Sequence, residues 1–106
     1  MKARNGTPKS RALLQYNKAI QSRRSILTER YKVKEIGIFG SAAQGRQSRL
    51  SDIDILVDFL EIPDLLKFIE LELFLEKILK RKVDLVDKQA LRSELREDIL
   101  RQVVYV

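Results

Sequence analysis

Ile38-Phe39-Gly40-Ser41-Ala42-Ala43-Gln44-Gly45, followed by Ser51-Asp52-Ile53-Asp54-Ile55-Leu56-Val57, is the stretch that decides how this chain folds. A short apolar run stops at a glycine and a serine, and after ten intervening residues a β-branched run opens with two aspartates. Side chains alternate between the faces of a strand, so Asp52 and Asp54 fall on one side of a sheet, about 7 Å apart, with Ile53 and Ile55 on the other. Like charges placed this way repel. Folding gains nothing from them unless a cation sits between them.

The rest of the composition narrows the chemistry. The 106 residues suit one small domain over residues 1–106, and 44% hydrophobic with 34% charged residues fits a globular chain. There is no cysteine and no histidine, which removes thiolate chemistry and the commonest zinc ligand and acid–base group. Carboxylates, hydroxyls and cations remain. No run approaches the roughly 18 uncharged apolar residues of a membrane span, and the basic start lacks the apolar core of a secretory signal, so the expected location is cytoplasmic. The net charge of +6 is uneven: residues 1–34 carry ten Lys/Arg against Glu29 alone. Such a segment reads first as a solvated basic helix face, with nucleic acid a less favoured partner.

Outward from the central stretch, residues 1–6 read as a flexible start and Thr7-Pro8 as a helix start. Leu13, Tyr16, Ile20, Leu27 and Tyr31 make a stripe at helical spacing, which predicts one helix as far as Tyr31. Val33–Phe39 reads as the first strand, Ser41–Arg49 as a turn of helix and a loop, and Asp52–Phe59 as a second strand covered on both faces except where the aspartates emerge. Pro63 opens a helix over Asp64–Lys80 whose apolar residues encircle it, so a second surface must cover it, either other helices or another protein chain. Val83–Val86 is a short strand. Lys88–Val106 is a last helix with Leu91, Leu95, Ile99 and Val103 on one stripe, its Val-Val-Tyr-Val ending free to dock on the body or on a partner. The expected architecture is a small α/β domain, also describable as α+β, with a mixed three-stranded sheet flanked by helices.

Magnesium takes oxygen ligands and is commonly held by one or two carboxylates plus substrate phosphates, a need that Asp52 and Asp54 match. Asp84 is the best third carboxylate because it opens a strand that can lie beside that of Asp52; Asp87 and Asp58 are weaker choices. Gly40 permits a tight turn and a close approach of backbone to phosphate, Ser41 adds a hydroxyl, and the amides of the next turn face an anion. Gly45 lies in the same turn, and Arg46 and Arg49 on the following loop can pair with phosphate oxygens. The G-x-x-x-x-G-K-[ST] and G-x-G-x-x-G motifs are both absent, which excludes a P-loop NTPase.

Gly40-Ser41, ten residues, then Asp52-Ile53-Asp54 resembles the signature of the DNA polymerase beta nucleotidyltransferase superfamily, and the flanks are similar to its minimal nucleotidyltransferases. The resemblance implies that superfamily's fold, with Gly40, Ser41, Gly45 and Arg46 at the triphosphate, and Asp52, Asp54 and Asp84 as catalytic carboxylates holding two magnesium ions. It implies transfer of AMP from ATP to a protein acceptor, a tyrosine of a HEPN-family ribonuclease toxin, with this chain as its antitoxin. Gln44 stands where the family often has arginine, and with the apolar 64–80 helix it keeps a second reading open: neutralisation by binding alone. Transfer to RNA or a small molecule ranks third. Self-association into a homo-oligomer stays open as well.

Overall fold

The computed structural model describes residues 10–46, 48 and 51–106; Thr7, Pro8 and Arg49 lie outside the described residues. Helix α1, Arg11–Gln21, is capped by Ser10, whose hydroxyl accepts the Leu13 N–H at 3.0 Å. The single first helix expected up to Tyr31 is two helices. Ser22 donates its hydroxyl back to the Ala19 carbonyl at 2.7 Å, and α2 follows at Arg24–Glu29. Serine hydroxyls compete with the helical ladder in this way, which accounts for the break. The stripe survives it, with Leu13, Ile20, Leu27 and Tyr31 all buried.

Four strands, not the expected three, make the sheet: β1 Val33–Phe39, β2 Ile53–Phe59, β3 Val83–Asp87 and β4 Val104–Tyr105, in the order β3-β2-β1-β4. β1 runs antiparallel to β2 and to β4, while β2 and β3 are parallel. A parallel pair needs a crossover, and helix α4, Leu65–Leu79, supplies it. Its bounds follow from its caps: the Asp64 carboxylate accepts the Lys67 N–H at 2.8 Å, and Lys80 ends it in the left-handed region at φ +58°.

The last helix is shorter than expected. Asp87 accepts the Gln89 N–H and starts a single 3-10 turn at Lys88–Ala90; Leu91 and Arg92 are extended, and α5 covers only Ser93–Gln102. Leu95 of the expected stripe is exposed. The Val-Val-Tyr-Val run docks on the body, where Val104 and Tyr105 pair with Ile38 and Gly37 and the Val106 N–H reaches the Ile36 carbonyl at 2.9 Å. Gly37 makes this possible, since a Cβ there would lie 2.7 Å from Val103 Cγ2 and 2.9 Å from the Val104 carbonyl.

β2 is covered on both faces, as its apolar run predicts. Ile53, Ile55 and Val57 are fully buried in the main core with Leu13, Ile20, Leu27, Leu71 and Leu75. On the opposite face Leu56 joins Phe39 and Val103 in a smaller cluster closed by Ile99 and Leu100 of α5. Helix α4 buries Leu71, Leu75 and Leu79 but leaves Leu65, Leu66, Ile69 and Leu73 exposed, continuous in sequence with exposed Leu60 and Ile62. Among the described residues no other helix covers this outer face.

Candidate active site

β1 and β2 bring the two halves of the signature to one end of the sheet. Phe39 is the register partner of Asp54, so Gly40, the next residue, lies against the aspartate strand. Its φ is +72°, and a Cβ built there would overlap Asp54 Oδ2 and lie 3.0 Å from Cγ. Only glycine fits this turn. On the far side of β2, Asp84 of β3 is the in-register partner of Asp54. Asp52, exposed, stands one residue before β2. The elements thus align Gly40, Asp54 and Asp84 across three adjacent pieces of chain, with Asp52 two residues before Asp54.

Electrostatics agree with this crowding. The Asp54 carboxyl is raised above its ordinary 3.8, chiefly because it is half-buried and then because Asp84 and Asp52 are near. A hard divalent cation would reverse that penalty, and the donors are all oxygen, so the residues present suit magnesium. Among the described residues no three acidic side chains enclose an ion by themselves. Substrate phosphates would complete the ligand shell, as is usual for this ion.

After Gly40 the chain makes one short helix, α3, Gly40–Ala43, which buries Ala42 and Ala43 and keeps Gly40 and Ser41 half-exposed. The Gln44 N–H donates to the Gly40 carbonyl at 3.1 Å, the Arg46 N–H donates to the Ser41 carbonyl at 2.9 Å, and Gly45 turns the chain at φ +73°. The exposed Arg46 guanidinium donates to the side-chain oxygen of Gln44. The weaker acidic candidates are engaged elsewhere. Asp58, buried, accepts the Phe59 N–H at 3.1 Å and the Gln89 side-chain N–H at 3.2 Å, and Asp87 caps the 3-10 turn. A cleft of about 430 Å³ lined by Tyr31, Lys32, Ile62, Pro63, Leu66 and Lys67 lies at the other end of β1, away from the aspartates.

Residues 20–106 match the nucleotidyltransferase domain family. The chain belongs to that family. It is 58% identical over 80 residues to the protein adenylyltransferase MntA of Thermococcus cleftensis, a span covering 76% of this chain and 81% of that protein. Among solved structures it resembles a toxin–antitoxin complex crystallised with AMP-PNP, at 34% identity and a TM-score of 0.69, covering 85% of this chain and 70% of the other. It also resembles a chain of the complex between the tri-AMPylated Shewanella oneidensis HEPN toxin and an MNT antitoxin, at 30% identity and a TM-score of 0.62, covering 89% of this chain and 70% of the other. No helix among the described residues is long and apolar enough to cross a membrane.

Two residues of this nucleotidyltransferase serve the site without a signal in the sequence. Arg81, just past α4, donates to the Ser48 carbonyl at 2.9 Å and the Ser51 carbonyl at 2.8 Å while holding the Tyr16 hydroxyl at 3.2 Å. With the bond from the Ile53 N–H to the Lys82 carbonyl at 2.9 Å, it secures the approach to Asp52. Gln102, at the end of α5, accepts the Gly40 N–H at 3.2 Å. In sequence Arg81 reads as a helix-end cation and Gln102 as an ordinary polar helix position. Their partners lie 30 and 62 residues away, beyond the reach of periodicity.

Proposed function

We propose that this nucleotidyltransferase transfers AMP from ATP to a tyrosine of a HEPN-family toxin and acts as the antitoxin of that pair. The observation that carries this is the alignment of Asp54 with Asp84 on one side and Gly40 on the other. Asp52, Asp54 and Asp84 would hold magnesium; Gly40, Ser41, Gly45 and Arg46 would bind the triphosphate. Bound magnesium supplies the positive charge that three carboxylates and a triphosphate together require. The tyrosine oxygen attacks the α-phosphorus as the bond to the bridging oxygen of the β-phosphate breaks. Pyrophosphate leaves, and the phenolic proton passes to the carboxylate cluster. The small turn at Gly40-Ser41 lets backbone and hydroxyl approach the phosphates closely, and Arg46, on an exposed loop, can swing to their outer oxygens. The adenylyltransferase relative and the complex of an AMPylated toxin with an antitoxin favour a protein acceptor.

Incubation with α-labelled ATP, magnesium and a cognate HEPN-family toxin should label the toxin. Asp52→Asn with Asp54→Asn should remain folded and leave the toxin unlabelled. An unlabelled toxin in the presence of wild-type protein that binds ATP would falsify the catalytic proposal.

A second reading, an antitoxin acting by contact alone, is favoured by two observations: Gln44 engages the Arg46 guanidinium, and the outer face of α4 is uncovered. On that reading the double aspartate variant still neutralises the toxin in a ribonuclease assay.

A further inference from the structure

We propose that Gln102 is a positioning residue for the nucleotide site: its side-chain oxygen holds the Gly40 N–H and so fixes the peptide on which the Asp54 carboxylate rests. The inference depends on the nucleotidyltransferase function proposed above and concerns a residue outside the signature.

The Gly40 peptide is the junction of the site. It ends β1, begins α3 and touches Asp54, and its φ of +72° is accessible to glycine. Glycine obtains this conformation without penalty and equally readily leaves it, so something else must hold the peptide in place. The Gln44 N–H holds the Gly40 carbonyl at 3.1 Å, and the contact that holds the Gly40 N–H is Gln102 Oε1, 3.2 Å away. The amide is the first of a helix turn and has no partner inside that turn.

Gln102 is itself well anchored. It is followed at once by buried Val103, and Val104 and Tyr105 pair with Ile38 and Gly37 of the strand that leads into Gly40. Both ends of the bond are therefore tied to β1, and the bond spans a short gap between α3 and α5.

Gln102→Ala removes the acceptor at a half-buried helix end where alanine is well tolerated. Two readouts separate positioning from general stability. In ¹⁵N-labelled protein, hydrogen exchange at the Gly40 amide should quicken in the variant. In calorimetric titration with ATP and magnesium, Kd should rise roughly three- to tenfold, the worth of one hydrogen bond. In the transfer assay KM for ATP should rise while kcat changes little. Gln102→Glu retains the acceptor, so it should restore Gly40 protection, and ATP binding should return at least in part. Rapid exchange at Gly40 together with wild-type ATP affinity would overturn the inference, as would failure of glutamate to restore Gly40 protection. If the alanine variant melts early, the glutamate variant alone decides. Wild-type protein that binds no ATP would overturn the nucleotide function itself, and this inference with it; wild-type binding with an indifferent alanine variant overturns only the role of Gln102.

Discussion

At the scale of single residues, Asp54 shows a conflict between fold and function. Its carboxyl is raised from 3.8 by partial burial and by Asp84 and Asp52, so ionisation is harder in the folded chain than in the unfolded one. Well below 3.8 both states carry the proton and stability is unaffected. As pH rises past 3.8 the unfolded chain ionises first, the folded chain holds the extra proton, and stability falls until Asp54 ionises in the fold as well. Asp54→Asn removes that penalty. Its melting temperature should exceed that of wild type near pH 7, and the difference should shrink towards about pH 3. Thermal melts across that range check the sign: a gain that grows on acidification would mean that Asp54 is stabilised, not strained, by its neighbours. Saturating magnesium should narrow the gap at neutral pH by binding the folded wild type preferentially.

At the scale of elements, α4 divides into two faces with different duties. Leu75 is wholly buried, and Leu75→Ala should cost about 2–5 kcal/mol in denaturant unfolding. Leu66 and Leu73 are exposed, so Leu66→Asp with Leu73→Asp should change stability by about 1 kcal/mol at most. The same pair should abolish toxin capture in a titration if this face is where the toxin sits, and unchanged capture would place the contact elsewhere. The over-apolar character of this helix was visible in sequence, as were its bounds, because Pro63, Asp64 and the 80–82 cations mark both ends locally. The signature was legible for the same reason, and Asp84 because a strand after a crossover helix lies beside the strand before it. The break at Ser22 was not, since a serine within a helical stripe is tolerated as often as it interrupts. β4 was hidden too. Val-Val-Tyr-Val prolongs an apolar stripe equally well, and what makes it a strand is the missing side chain of Gly37, far away in sequence.

At the scale of the molecule, the sheet is closed on its β1 side by segment 103–106, and the smaller of its two cores depends on that closure. Val103 is 4% exposed and shields Phe39 and Leu56, the residues behind Gly40 and Asp54. β4 covers part of the β1 edge, and the Arg24 guanidinium on α2 binds the Val106 carbonyl, linking the segment to the opposite layer. A chain ending at Gln102 would lose burial of Val103, about 1.5–3 kcal/mol, and the β1 pairings as well. Against a domain stability of about 5–15 kcal/mol this leaves a folded protein, with a melting temperature lower by roughly 10 °C. The uncovered β1 edge should also promote association, seen as light scattering at temperatures where the full chain stays clear. A truncated chain that melts and scatters like the full one would mean that α5 alone supports the face on which the aspartates open.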